Sequence, residues 1–335
     1  MMKVLFIGGT GLISTAVSEL AIQKGIDLTL MNRGQRKDGL SEKIERIHCD
    51  IYDLNAVQKA LVNRHFDAVV EWIAFVPEHV ERDYKLFKGH TDQYVFISSA
   101  SAYQKPIPKL PITEKEVPLD NPFWEYSKNK QRCEEYLLDL KDDQLHVTII
   151  RPSHTYNEQS VVSQLNSWPH PYTLIHRMKQ NKPVIIADQG QSLWTLTYNK
   201  DFAHAFLDIL GNPKTYGEVY HLTSEKSYNW LEIHSMLEEA IGVKSEKVFV
   251  PSKEIVEVFP EYRGALLGDM MGSAIFDNSK IKEVAPNYLS KTEYRDIAKK
   301  VVQFYESHPE YQTIDEDFYQ RYENLAERYQ MKRRG

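Results

Sequence analysis

The chain has 335 residues, of which 42% are hydrophobic and 26% are charged, a composition typical of a folded globular protein and not of a disordered one. Its formal net charge of −6 argues against the broad positive surface that nucleic-acid binding normally needs, so we expect no nucleic-acid partner. The basic cluster at residues 332–334 fits a solvated helix end.

Cysteine content and hydropathy indicate the cellular setting. Cys49 and Cys133 are too few for a disulfide framework, and neither they nor the histidines show the spacing of a metal site. Glycines interrupt the first apolar run, which therefore predicts a buried strand and not a signal peptide. No run approaches the roughly 18 apolar residues of a membrane span. We expect a cytoplasmic protein without a membrane partner or a metal.

Short apolar runs alternate with amphipathic stretches in the first half of the chain. Such runs, apolar on both faces, are typical of strands in a parallel sheet covered by helices, and the alternation predicts a doubly wound α/β domain. The predicted strands are KVLFIG, DLTLM, ERIHC, AVVEWIA, QYVFIS and HVTIIR, and the predicted helices cover residues 14–24, 55–64, 78–88 and 125–140.

The pattern changes after Arg151 and Pro152, where a length of 335 residues leaves room for a second domain. Residues 157–192 predict loops before the apolar run PVIIA, followed by a helix near Asp201, a strand at EVYHL and helices from residue 230 onward. We assign residues 1–155 to the first domain, with segments near 195–225 returning to it. Residues 156–335 form mainly a smaller α/β domain.

Glycines separate the first predicted strand from the first helix. Gly8, Gly9 and Gly11 allow a tight turn and a close approach of the backbone to a pyrophosphate, whose charge would lie at the helix N-terminus. Ser14 occupies the position at which a third glycine would permit the closest packing. This placement favours a dinucleotide site over a tight turn with only a structural role.

The end of the second strand distinguishes the two nicotinamide dinucleotides. An acidic residue there usually binds the ribose of NAD, whereas this chain has Asn32 and Arg33, followed by Arg36 and Lys37. A cation suits the 2′-phosphate of NADP, although a solvated basic turn would have the same sequence. We therefore expect NADP, with NAD as the alternative. Asp50, after the third strand, is placed to accept a hydrogen bond from adenine.

Tyr126 and Lys130 lie four residues apart and share one face of a predicted helix. Tyr84 and Lys88 have the same spacing, so spacing alone does not identify a site. Only the later pair follows a strand that ends in a serine pair, at the sheet edge where ligands bind. There Ser99 could bind a substrate oxygen and Tyr126 could transfer its proton. Lys130 could lower the pKa of the phenol and hold the ribose.

These motifs, with IGGTGLIS, CDIYD, YVFISSASAY, EYSKNK, IIRPSHTYN and YNKDFAHAF, resemble the extended short-chain dehydrogenase/reductases, and specifically the NAD-dependent epimerase/dehydratase family. The resemblance covers roughly residues 2–300. It implies a Rossmann-type cofactor domain, a C-terminal substrate domain that usually takes a nucleotide sugar, and Ser99, Tyr126 and Lys130 as the catalytic set. The short segment before QYVFIS and the MNRG turn look like the atypical branch that includes chloroplast stem-loop-binding proteins.

Two departures from the family pattern concern the substrate. His154 and Asn157 replace residues common in sugar-nucleotide enzymes, and Ala100 and Ser101 replace the acidic pair of the dehydratases. We assign Ser101, His154, Tyr156 and Trp194 to substrate binding, although the last three could be packing residues. The predicted cofactor contacts are Gly8, Thr10, Gly11, Leu12, Ile13, Asn32, Arg33, Asp50, Ile51, Ala74, Ser98, Tyr126, Lys130 and Pro152.

Three functions follow as hypotheses. The first is an oxidoreductase or epimerase acting on a secondary alcohol or ketone of a sugar or nucleotide-sugar-like small molecule. The second is an NADPH-dependent carbonyl reductase. The third is a protein that keeps the fold for dinucleotide sensing or RNA association without turnover. The sequence leaves the assembly open, with a homodimer as one candidate.

Overall fold

The structure is a computed structural model that describes residues 1–35, 39–42, 44–140, 145–288 and 290–334, with the side chains of 332–334 excepted. Arg36 and Lys37, which the sequence offered as extra phosphate ligands, lie outside the described residues. No helix in the described part of the chain is long and apolar enough to cross a membrane.

The first half of the chain alternates strand and helix. Its elements are β1 (Lys3–Ile7), α1 (Leu12–Gln23), β2 (Asp27–Asn32), β3 (Glu45–His48), α2 (Leu54–Leu61), β4 (Phe66–Glu71), α3 (Pro77–Phe87), β5 (Thr91–Ile97), α4 (Glu125–Asp139) and β6 (His146–Pro152). Each strand and helix predicted from the apolar pattern of this half is present, with its ends displaced by a few residues.

The second half is more irregular. It contains β7 (His154–Tyr156), α5 (Tyr172–Lys179), β8 (Val184–Ala187), β9 (Leu193–Tyr198), α6 (Asn199–Leu207), β10 (Val219–Leu222), β11 (Ser227–Asn229), α7 (Trp230–Ile241), β12 (Lys247–Val250), α8 (Ser252–Val258), α9 (Arg263–Ala265), α10 (Ser279–Val284), α11 (Tyr294–Ser307) and α12 (Glu316–Arg334). Helix α9 continues into a π-helical turn over Leu266–Met270. Residues 157–192, predicted as loops, contain the helix α5.

Seven strands form a parallel sheet in the order β10-β6-β5-β4-β1-β2-β3. Alternate residues of β1 enter different cores, with Val4 and Phe6 packing beneath α1 and α6, and Leu5 and Ile7 beneath α2 and α3. Both faces are covered, so these strands are apolar throughout. The doubly wound, Rossmann-like fold predicted from the sequence is confirmed.

The C-terminal elements build a further core around two small sheets, in the orders β11-β9-β7 and β12-β8. Two segments of the second half join the first: β10 pairs with β6, and α6 packs against α1. The Asn199 amide at the start of α6 donates a 2.9 Å hydrogen bond to the Leu12 carbonyl at the start of α1. This contact fixes the N-terminus of α1 at the carboxyl edge of the sheet.

Candidate active site

A cavity of about 730 Å³ lies at the carboxyl edge of the seven-stranded sheet. Its position agrees with the general rule that doubly wound sheets bind ligands outside the carboxyl ends of their strands. It is lined by all but one of the predicted cofactor residues, namely Gly8, Thr10, Gly11, Leu12, Ile13, Asn32, Arg33, Asp50, Ile51, Ser98, Tyr126, Lys130 and Pro152.

The glycine loop has a backbone that only glycine adopts without strain. Gly8 and Gly9 have φ values of 97° and 82°, and a Cβ atom on Gly9 would lie 2.7 Å from Leu30 Cδ2. Ser14 Oγ accepts a 2.8 Å hydrogen bond from the Gly11 amide, so the serine at the third glycine position braces the loop. This turn, with the N-terminus of α1 behind it, fits a pyrophosphate.

A cationic side chain, that of Arg33, lies at the end of the cavity beyond β2. Arg33 is exposed and lines the cavity, and its guanidinium forms no hydrogen bond or ion pair with any residue that the structure describes. Asn32 supplies an amide where a carboxylate would bind ribose hydroxyls, and its Oδ1 accepts a 2.9 Å hydrogen bond from the Gly34 amide. Asp50, which also lines the cavity, accepts a 3.0 Å hydrogen bond from the Tyr52 amide.

A buried ion pair supports the serines that follow β5. Glu134 of α4 and Arg151 of β6 form a two-pronged pair with a shortest N–O distance of 2.6 Å, and the Ser98 hydroxyl donates to the same carboxylate. Because Ser98 is bound to the ion pair, Ser99 is the first serine after β5 whose hydroxyl is not bound to it. Ser99 Oγ lies 2.9 Å from Ser101 Oγ, which in turn lies 2.8 Å from Ser127 Oγ.

Lys130 is almost completely buried in the floor of the cavity. Its ammonium group donates hydrogen bonds of 2.7 Å to the carbonyls of Ala74 and Ile97, which leaves one of its three protons for a ligand. Burial lowers the pKa of Lys130 to about 8, and the charges of Cys133, Glu71 and Glu134 oppose that shift.

The surroundings of the Tyr126 phenol disfavour its ionised form. Burial raises the pKa of its phenol above the ordinary value, and this exceeds the opposing effect of a hydrogen bond with Ser99; the charges of Asp269 and Cys133 raise the pKa further. The ammonium of Lys130 lies 5.7 Å from the centroid of the phenol ring. Tyr126 is therefore a neutral proton donor at neutral pH.

A second cavity of about 280 Å³ adjoins the first. The residues that line both cavities are Ser99, Tyr126, Ser153 and Thr155. Among the predicted substrate residues, Ser101, His154 and Trp194 also line the second cavity. The hydroxyl groups of Ser99 and Tyr126 thus lie at the junction between a dinucleotide-sized space and a space that fits one sugar-sized ring.

Two predicted residues lie elsewhere. Tyr156 lines neither cavity; it is fully buried and packs edge-on against Tyr294 at 5.3 Å between ring centroids. Ala74 is also fully buried. It contributes to the site only indirectly, because its carbonyl accepts a hydrogen bond from Lys130. Tyr84 and Lys88 form a 3.3 Å hydrogen bond on the exposed face of α3, away from both cavities.

Several residues of the site carry no sequence motif. Asp269 and Trp124 line the second cavity, and the carboxylate of Asp269 pairs with Lys105 at 3.0 Å. These residues come from segments distant in sequence, so only the folded structure brings them together. A cluster of three or more side chains suited to a metal ion is absent from the described residues.

Comparison with known proteins identifies relatives in sequence. The chain is 30% identical over 238 residues to the chloroplast stem-loop binding protein of 41 kDa b from Arabidopsis thaliana, a match that covers 67% of this chain and 59% of the plant protein. It is 22% identical to 2′-dehydrokanamycin reductase of Streptomyces kanamyceticus, over 86% of this chain and 80% of the reductase. The chain thus spans about three fifths of the plant protein's length.

Comparison of structures identifies the same fold in UDP-glucose 4-epimerase from Bifidobacterium longum, solved in complex with NAD⁺ and UDP. The TM-score is 0.72 with 19% sequence identity, and the superposition covers 92% of this chain and 99% of the epimerase. The sequence profile of the NAD-dependent epimerase/dehydratase family matches residues 4–222, which include the glycine loop, both serines, Tyr126 and Lys130. The chain belongs to the NAD-dependent epimerase/dehydratase family.

Proposed function

We propose that this protein is an NADP(H)-dependent oxidoreductase that reduces a ketone of a sugar-like small molecule to a secondary alcohol. The observation that carries the proposal is the junction of the two cavities, where Ser99 and Tyr126 line both spaces. A group in the second cavity can meet the reactive end of a dinucleotide in the first cavity at this junction.

Each residue has a separate role in the reduction. When bound, the reduced nicotinamide supplies a hydride to the carbonyl carbon. Tyr126 donates its phenolic proton to the carbonyl oxygen, so the substrate gains one hydride and one proton and becomes an alcohol. Ser99 donates a hydrogen bond to the same oxygen as negative charge develops on it. Lys130 presents its free proton to the cofactor ribose and stabilises the phenolate that remains.

The protonated phenol of Tyr126 suits a reduction, in which it gives its proton to the carbonyl oxygen. A reductase begins with the proton on the phenol, which is the state that burial favours. Epimerisation remains the second candidate, since a UDP-glucose 4-epimerase is among the solved structures that share the fold.

The cofactor end of the cavity supports NADP over NAD. The exposed guanidinium of Arg33 lines the cavity directly after β2, where a 2′-phosphate would extend from the adenosine ribose. Asn32 replaces the acidic side chain that would repel this phosphate. The likeness to 2′-dehydrokanamycin reductase supports a reduction by this chain.

The proposal is tested by following the oxidation of NADPH with a panel of sugar and cyclitol ketones, after mass spectrometry of any nucleotide released on gentle denaturation. We expect consumption of NADPH with at least one ketone, slower consumption of NADH, and no tightly held NAD⁺. Stoichiometric NAD⁺ released from the purified protein, together with interconversion of sugar epimers, would contradict the proposal in favour of an epimerase.

The likeness to the chloroplast stem-loop binding protein supports a third candidate function, association with RNA. The net charge of −6 counts against it, because phosphate binding depends on clustered positive charge. Filter binding of a stem-loop RNA across salt concentrations tests this function. We expect no specific retention; submicromolar binding that weakens steeply with salt would support RNA association instead.

A further inference from the structure

We infer that Asp269 makes the second cavity selective for substrates that carry an amino group close to the reacting carbon, and not for nucleotide sugars. The inference rests on the proposed function for the location of the reacting carbon. It assigns to Asp269 the role of binding a cationic substrate group.

The carboxylate of Asp269 lines the cavity and has one oxygen available. Its Oδ1 atom accepts a 3.0 Å hydrogen bond from the ammonium of Lys105, whose side chain is only 6% exposed. Within the described ranges, no residue donates a hydrogen bond to Oδ2. The negative charge of Asp269 also raises the pKa of Tyr126. Asp269 therefore acts electrostatically on the residue that transfers the proton.

The backbone around Asp269 is held in an uncommon conformation. Asp269 lies in the π-helical turn over Leu266–Met270, a conformation that is rare and is frequent at functional sites. The buried amide of Asn121 donates hydrogen bonds of 2.7 Å to the carbonyls of both Ser101 and Gly268. The turn that carries the carboxylate is therefore fixed to the loop that carries the serines.

Packing against the indole of Trp124 fixes the turn further. A Cβ atom on Gly264 would lie 2.2 Å from this indole, and one on Gly268 would lie 3.2 Å from Trp124 Cβ. Trp124 also lines the cavity and directly precedes α4. The position of the carboxylate relative to Tyr126 is thus set by direct packing.

The other residues that line the cavity offer nothing for a diphosphate. Arginine and lysine side chains are frequent phosphate ligands in proteins, and none of the described residues that line the second cavity is either. Burial lowers the pKa of His154, so this side chain is neutral at neutral pH. Asp269 lines the cavity, and its carboxylate, which receives one hydrogen bond from Lys105 at Oδ1, can accept another from a substrate ammonium at Oδ2.

The test measures binding, which does not depend on turnover. Isothermal calorimetry with the full chain and saturating NADP⁺ compares methyl glucosaminide, methyl glucoside and UDP-glucose, of which the first two differ only in an ammonium replacing a hydroxyl. We expect the aminated sugar to bind at least about tenfold more tightly than the neutral one, as expected for a charge-assisted hydrogen bond. UDP-glucose should show no advantage over methyl glucoside.

Two variants and one control identify the group responsible. Asp269→Asn should abolish the preference for the amine, and Lys105→Met should increase it, because the amine then no longer shares the carboxylate. Asp317→Asn removes an exposed aspartate paired with Arg321 on α12 and should leave the preference unchanged. The opposite effects of the first two variants separate a specific charge contact from a general loss of structure.

Each outcome has a defined meaning. Equal binding of the two methyl sugars, tighter binding of UDP-glucose, a preference that persists in Asp269→Asn, or no binding of the aminated sugar would overturn the inference. A preference for the amine that depends on Asp269 would support it even if no ketone were reduced, in which case only the proposed function would fail. Reduction of neutral ketones without any preference for amines would leave the function standing and overturn the inference.

Discussion

The ammonium group of Lys130 lies 2.7 Å from the carbonyl oxygen of Ile97, the last residue of β5. Lys130 lies in α4, and Ile97 directly precedes Ser98 and Ser99. The hydrogen bond therefore connects α4 to the end of the strand that carries the two serines. It also explains how a cation tolerates this depth of burial, since carbonyl oxygens replace part of its hydration.

The burial of Lys130 predicts a pH dependence. A lysine is charged below its pKa and neutral above it, so with a pKa of about 8 the ammonium is lost as the pH rises beyond 8. Tyr126, whose pKa is raised, stays protonated across this range. We expect kcat/KM for NADPH to fall about tenfold per pH unit above pH 8. A flat profile from pH 7 to 9.5 would contradict the role of Lys130.

Charge reversal at Arg33 tests the cofactor preference. Arg33→Glu should raise KM for NADPH at least about tenfold, because a charge-assisted contact with the 2′-phosphate is replaced by repulsion. KM for NADH should change little. Arg328→Glu, an exposed site on α12 that lines neither cavity, controls for net charge. An equal effect of Arg33→Glu on both cofactors would remove Arg33 from phosphate binding.

Two glycines with similar backbone conformations separate strain from steric clash. Gly9 and Gly25 have φ values of 82° and 76°, but a Cβ atom would meet Leu30 at 2.7 Å only at Gly9, whereas nothing lies within 4 Å of one at Gly25. Gly25→Ala should lower the free energy of unfolding by about 1 kcal/mol. Gly9→Ala should cost about 1–3 kcal/mol more because of overpacking, as measured by urea denaturation.

Helix α4 contributes a glutamate to a buried ion pair and another to an exposed one, and these provide a matched test of stability. Glu134→Gln should lower the free energy of unfolding by about 3 kcal/mol, because it leaves the buried guanidinium of Arg151 without a counter-charge. Glu125→Gln breaks the ion pair between Glu125 and Arg132, whose side chains are 65% and 55% exposed. This variant should lower the free energy of unfolding by less than about 0.5 kcal/mol. Similar losses in both variants would show that the buried pair has no special role.

The sequence predicted the sheet well because its strands are buried on both faces. Strands such as β1, with Val4 and Phe6 in one core and Leu5 and Ile7 in the other, leave an uninterrupted apolar run. The glycine loop and the pair Tyr126 and Lys130 were recognisable for a related reason, since each depends on residues close together in sequence. Helix α5 was missed because Pro169 and Pro171 before it and Pro183 after it suggested loops.

The electrostatics and the substrate residues could not be read from the sequence. Asp269 reaches the site from a π-helical turn more than a hundred residues after Tyr126, and no local pattern marks it. Burial of the phenol, which raises the pKa of Tyr126, depends on packing between the two halves of the chain. Tyr156 appeared equivalent to Trp194 in sequence, but only the tryptophan lines a cavity.

The central claim is that Tyr126 donates the proton while hydride passes to the same carbonyl. The most direct measurement uses NADPH deuterated at the transferred position, with mass spectrometry of the alcohol formed from a ketone substrate by the wild type and by Tyr126→Phe. We predict one deuterium per alcohol in the wild type, formation of the alcohol at least about a hundredfold slower in the variant, and unchanged affinity for NADPH. Near-normal turnover of Tyr126→Phe, or alcohol without deuterium, would contradict the account.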